Sequence, residues 1–173
     1  MIGHGEPGQG QHLRRLVLAA MFAAAATILG PLSLPVAGAK LAPLQHTINA
    51  VAGVLLGPWY AAGAALVAAT LRYTLHTGSL FAFPGSPFGA LVVGYAYRLL
   101  RNDAAALCEP LGTGLIGGTL AALVFQPFTA AHNTLWAWWG LFLASSIPGA
   151  ILGYVVLRVL RRVPAVGQWA SQP

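Results

Sequence analysis

The sequence predicts an all-α integral membrane protein: a bundle of six transmembrane helices with both termini in the cytoplasm. Three observations carry that expectation. Of 173 residues, 57% are hydrophobic and only 7% are charged, where a soluble domain has roughly a quarter of its residues charged. The deficit extends from Leu16 to Val163, which leaves room for about six apolar runs approaching the ~20 residues that span a bilayer. The runs are rich in Ala, Leu and Gly and lack two-residue alternation. An unpaired backbone group in lipid costs several kcal/mol, so continuous apolar runs of this kind read as helices and not as barrel strands.

Residues 1–13 read as a polar, disordered cytoplasmic tail, 14–163 as the membrane domain and 164–173 as a second cytoplasmic tail. Arg14 and Arg15 precede the first apolar run, Leu16 to Leu32. Ala37-Gly38-Ala39 beyond it mimics a signal-peptide cleavage site, although the run is also a good first span. Lys40 to Leu44 reads as a loop containing Pro43. The second span runs from Gln45 to Leu56, Gly57-Pro58 marks a turn, and the third runs from Trp59 to about Leu75. Neither exceeds about 26 Å at ~1.5 Å per residue. Thr77 to Pro87 reads as a Gly/Pro/Ser loop and the fourth span as Phe88 to about Leu100. Arg101-Asn102-Asp103 connects it to a fifth, from Leu107 to Phe125, and the sixth covers Leu135 to Leu157.

Orientation follows from the basic residues. With the N-terminus inside, the inner ends collect Arg14, Arg15, Arg98, Arg101, Arg158, Arg161 and Arg162, and the outer loops keep only Lys40. The net charge of +6 does not indicate nucleic acid, because the arginines sit at helix ends and form no stripe with aromatic residues. Cys108 is the only cysteine, which excludes an intramolecular disulfide and a cysteine metal cluster. There is no G-x-x-x-x-G-K-[ST] loop, since Lys40, the only lysine, is followed by Leu41. No nucleophile with a paired base lies in the apolar core. The three acids, Glu6, Asp103 and Glu109, fall in the tail, in an inner loop and near an inner helix end. A proton- or sodium-coupled carrier would keep one at mid-membrane.

The remaining polar residues collect toward the outer face. They are Gln45, His46 and Asn49 on the second helix, Arg72 and His76 near the end of the third, Ser79 and Ser86 in the next loop, and Gln126, His132 and Asn133 around the last outer connection. Apolar walls with a few directed polar groups suit a small-molecule site. Interhelical hydrogen bonding is the competing role for Gln45, His46 and Asn49, and a helix C-terminus competes with a ligand anion for Arg72. His132, Trp136 and Trp139 are spaced i, i+4, i+7, one face of a helix that could stack a flat heteroaromatic ring. Trp59, Trp136, Trp138 and Trp139 also suit an interfacial aromatic belt. Stripes of small residues (Ala19 with Ala23, Ala20 with Ala24, and Ser145, Gly149 and Gly153) suit close helix packing, and the first pair of stripes could also dock a partner.

The segments Gln45-His46-Thr47-Ile48-Asn49, Leu55-Leu56-Gly57-Pro58-Trp59-Tyr60-Ala61 and Ala82-Phe83-Pro84-Gly85-Ser86 resemble the ThiW family, thiazole-specific S components of energy-coupling factor (ECF) transporters. The resemblance covers about Leu13 to Arg162. It implies a plasma-membrane S subunit of a prokaryote that takes up hydroxyethylthiazole, a thiamin precursor. The implied partners are a transmembrane coupling protein and two cytoplasmic ATPases, docked through Ala19, Ala20, Ala23 and Ala24, and no cofactor is implied. A neutral thiazole would stack on Trp136 or Trp139, hydrogen-bond to residues such as Asn133, His132, Gln45 or Asn49, and be covered by the loop carrying Lys40. Two rivals are a stand-alone secondary carrier and a membrane-embedded enzyme or assembly factor. Thiamin and its pyrimidine precursor remain alternative solutes.

Overall fold

The computed structural model describes residues 7–36 and 39–163. Its helices are α1 (Pro7–Leu29), α2 (Pro43–Leu56), α3 (Pro58–Thr74), α4 (Ala82–Leu100), α5 (Asp103–Phe128) and α6 (Leu135–Leu160). Between α1 and α2 lie two short strands, β1 (Leu34–Val36) and β2 (Ala39–Leu41). They pair antiparallel with Leu34 opposite Leu41 and Pro35 opposite Lys40. The described residues are therefore almost entirely helical, with one small hairpin where a plain loop was expected. Ala37 and Gly38 lie outside the described residues. Among the described residues, three helices are long and apolar enough to cross a membrane: Gly10–Leu29, Asp103–Phe128 and Leu135–Leu160.

Several boundaries differ from the sequence reading. Helix α1 begins at Pro7, so Pro7–Leu13, expected in the polar tail, is helical. Proline at a first helical position gives up an N–H that no helix could have used. Helix α4 begins at Ala82, so the last six residues of the expected Thr77–Pro87 loop are helical and Pro87 lies inside the helix. A proline is tolerated within a membrane helix where its surroundings compensate for the missing hydrogen bond. Helix α5 opens with a 3₁₀ turn at Asp103–Cys108 and widens into π turns at Leu111–Gly117 and Ala121–Phe125. The turn at Gly57 was legible: its φ of 82° is a conformation that glycine adopts without strain, and Pro58 starts α3 directly after it.

Small residues set the packing. On α6, an added Cβ at Gly149 would lie 2.4 Å from the Pro43 carbonyl oxygen and 2.5 Å from His46 Cβ, and one at Gly153 2.8 Å from Ala50 Cβ. The bare backbone thus lets α2 lie against α6, and Thr47 Oγ1 donates across the contact to the Gly149 carbonyl at 3.0 Å. Ala19 and Ala23 of α1 are buried against Ala61, Ala64 and Ala65 of α3 and Ala52 and Leu56 of α2. Ala20 and Ala24 face outward. The two alanine stripes therefore separate: in this structure Ala19 and Ala23 are core residues and are not available to a partner, because helical periodicity turns positions one residue apart onto different faces.

The arginine-rich ends of α4 and α6 converge on the start of α5. Arg161 donates from Nε and Nη2 to both oxygens of Asp103 at 2.7–2.9 Å, and from Nη2 to the Tyr97 hydroxyl at 3.0 Å. The Asp103 carboxylate raises the pKa of this guanidinium above its already high value. The polar cavity lies at the opposite end of the bundle.

Candidate binding cavity

At that end the start of α2, the end of α3, the start of α4 and the first half of α6 diverge around a cavity of about 650 Å³. This falls within the ~300–1,000 Å³ range of small-molecule sites. One wall is polar. Gln45 sits in the first turn of α2 because Pro43 opens that helix, and its side-chain amide joins Arg72 on α3 to Ser86 on α4: its Oε1 accepts from Arg72 Nη1 and its Nε2 donates to Ser86 Oγ. Ser86 reaches this position because α4 starts earlier than Pro87 suggests. Arg72 is only 5% exposed. Its guanidinium passes over Gly30, where an added Cβ would lie 2.1 Å from Nε, and also approaches the Gly30 carbonyl at 3.4 Å. The α3 terminus is closed by the backbone N–H groups of Thr77 and Gly78, both donating to the Arg72 carbonyl at 2.9 Å, with His76 in a left-handed conformation at φ 56°. This closing turn follows the Schellman pattern, with His76 at the position usually held by glycine.

The facing wall is aromatic. Trp138, 5% exposed, packs on Phe81 with ring centroids 4.3 Å apart and on Phe142 at 6.0 Å. Its indole Nε1 donates to Gln126 Oε1 at 2.6 Å, and the same oxygen accepts from the backbone N–H of Asn133 at 3.0 Å. Ser145 closes the side between α6 and the hairpin by accepting from the Ala42 N–H at 2.9 Å.

Of the sequence-expected residues, Gln45, His46, Arg72, His76, Ser79, Ser86 and Asn133 line this cavity. Asn49 is buried one turn further along α2 and does not line it. Gln126 acts behind the wall as the bracket for Trp138 and Asn133. His132, Trp136 and Trp139 do not line it. Helix α6 starts only at Leu135, after the Thr134 cap, so His132 lies outside the helix and the expected shared face of His132, Trp136 and Trp139 does not exist. Trp136 is 75% exposed, and Trp139 is held by its own donation to Thr119 Oγ1 at 3.0 Å. The aromatic wall is Trp138, which the sequence placed only in the interfacial belt.

The main omission of the sequence reading is Glu109. Placed there near an inner helix end, it is 0% exposed, and its Oε1 lies 2.9 Å from His46 Nδ1 and accepts from Thr113 Oγ1 at 2.6 Å. A carboxyl group thus sits in the bundle interior directly behind a cavity-lining histidine, where the sequence reading placed it near an inner helix end and expected no acid at mid-membrane. Among the described residues, no three of His, Cys, Asp and Glu gather as a metal site requires. The arrangement can enclose a small, partly flat solute between an aromatic ring and a row of hydrogen-bonding groups.

The family comparison bears on the same stretch of chain. Residues 16–163 match the model of the ThiW family, described as thiamine-precursor transporter protein. The chain belongs to the ThiW family. It is therefore a membrane transporter protein with a small-molecule substrate, in a family of transporters and not of enzymes. The matched range runs from α1 through the end of α6 and includes every residue of the cavity. No curated protein matches the chain.

Proposed function

We propose that the chain is the substrate-binding S subunit of an ECF-type importer, that its solute is hydroxyethylthiazole, and that the cavity at the α2–α3–α4–α6 end is where the solute binds. The observation that carries this reading is the cavity itself: an aromatic wall at Trp138, with Asn133 held beside it, lines the same cavity as Gln45 and Arg72 in a chain whose sequence has no nucleotide-binding loop. In this reading all six helices span or enter the plasma membrane of a prokaryote, both termini are cytoplasmic, and the cavity opens outward. The thiazole ring lies on Trp138, and the hairpin before α2 covers it. A coupling protein and two cytoplasmic ATPases supply the energy.

Titration of the detergent-purified protein with hydroxyethylthiazole, thiamin and the pyrimidine precursor, followed by tryptophan fluorescence, tests this. Saturable quenching by the thiazole alone is expected, and Trp138→Phe is expected to abolish it while Trp136→Phe leaves it intact. Quenching by thiamin or the pyrimidine alone would reassign the solute.

Docking of the partners is assigned to the outward alanines. Ala24→Trp is expected to leave solute binding unchanged and to reduce ATP-dependent uptake in vesicles at least tenfold. Ala23→Trp is expected to lower stability instead, because Ala23 is buried against α3. Equal effects of the two substitutions would remove the docking assignment.

Glu109 favours a second reading, the stand-alone carrier, since intramembrane carboxyls commonly serve proton-coupled transport. Solute uptake into proteoliposomes containing this chain alone, driven by a proton gradient, would establish that reading over the first.

A further inference from the structure

The structure carries a buried carboxyl that the proposed binding mode leaves without a role. Glu109 lies behind the cavity, held by Thr113, whose hydroxyl is 2.6 Å from Glu109 Oε1 and 3.3 Å from the Gly85 carbonyl oxygen. Two glycines create the space for it. An added Cβ at Gly89 would lie 2.4 Å from Glu109 Oε1, and one at Gly149 2.5 Å from His46 Cβ. In that space the imidazole meets Oε1 through Nδ1 at 2.9 Å. Its other nitrogen, Nε2, has no hydrogen-bond partner among the described residues and is not among the fully buried polar atoms, and the ring lines the cavity.

We propose that Glu109 is a positioning residue for solute recognition: it accepts the Nδ1–H of His46 and so presents Nε2 to the cavity as an acceptor for a hydroxyl hydrogen of the solute. In an imidazole with one ring proton, a hydrogen bond made at one nitrogen decides whether the other donates or accepts. The site then selects a small heteroaromatic alcohol over its alkyl counterpart, because an acceptor left unpaired in a closed site costs binding that a methyl group cannot restore. This inference rests on the reading of the cavity as the solute site.

Two measurements on the full-length protein in detergent test it. The first compares affinity for hydroxyethylthiazole with that for the analogue bearing ethyl in place of hydroxyethyl. Wild type is expected to prefer the alcohol by about tenfold or more, the scale of one hydrogen bond. Glu109→Gln is expected to keep that preference, since a carboxamide oxygen still accepts from both Nδ1–H and Thr113. Glu109→Leu is expected to bind the two ligands equally. A preference retained in a folded Glu109→Leu protein, or absent in wild type, overturns the proposal.

The second measurement needs no ligand and no disruptive variant: ¹⁵N imidazole spectra of wild type and Glu109→Gln, with His46 assigned by the signal lost in His46→Gln. A slowly exchanging Nδ1–H with an unprotonated Nε2 in both supports the proposal. The opposite tautomer overturns it whichever solute the protein carries. The expected tautomer in a protein that binds no thiazole would instead place the failure in the choice of solute.

Discussion

Arg72→Met is expected to weaken solute binding about 30-fold while leaving the folded bundle as stable as wild type or more so. The two effects have opposite signs because the guanidinium is poorly compensated in the protein alone. Its hydrogen-bond acceptors are Gln45 Oε1 and, weakly, the Gly30 carbonyl at 3.4 Å. Among the described residues no carboxylate lies within 4 Å of it: Asp103 pairs with Arg161 and Glu109 with His46. A buried charge costs several kcal/mol before pairing. The favourable placement of a cation in the last turn of α3 offsets only about 0.3–1 kcal/mol of that. Methionine can follow the same path over Gly30 without charge, and Gln45 keeps its bond to Ser86. A hydrogen bond from a charged donor to the solute contributes about 2 kcal/mol, which at ~1.4 kcal/mol per tenfold gives the stated loss. Fluorescence titration and thermal unfolding of the same preparation read both quantities. Unchanged affinity with a lowered melting temperature would make Arg72 a structural residue and remove it from the site.

Gly94→Ala is expected to destabilise the bundle by about 3 kcal/mol, the upper end of the usual cost of overpacking. An added Cβ there would lie 2.4 Å from both the nitrogen and the Cα of Pro58, and 2.9 Å from the Gly57 carbonyl carbon. All three are backbone atoms at the tight α2–α3 turn, so no side chain can rotate away, and α4 must move off α3. Gly63→Ala on α3 is the internal control. Nothing lies within 4 Å of its added Cβ, so the better helix propensity of alanine, up to about 1 kcal/mol, remains as a gain. Denaturation in detergent followed by circular dichroism compares the two. Equal stability of both variants would show that α3 and α4 do not meet at Gly94.

The polar composition of the site was legible because a chain with so few polar residues advertises each one. Gln45, His46, Arg72 and Ser86 stand out in apolar surroundings and meet in one cavity. The aromatic partner was not legible. With tryptophans at 136, 138 and 139, the spacing argument depends on where the helix starts, and that is decided by the Thr134 cap and by the hydrogen bond that the Trp138 indole donates to Gln126 Oε1. Such a long-range contact leaves no local periodicity.

The sequence by itself determined the membrane class, the helical architecture, the Gly57-Pro58 turn and the gathering of arginines at one end, because apolar length, glycine conformation and charge distribution are properties of short segments. Only the tertiary structure decided which alanines of α1 face the core, that Trp138 is the wall of the cavity, and that Glu109 sits behind His46. Each of these depends on the rotation and depth of one helix against another. The bare backbones of Gly89 and Gly149 leave room for Glu109 and His46, and a carboxyl that looks terminal along the chain becomes central in the bundle.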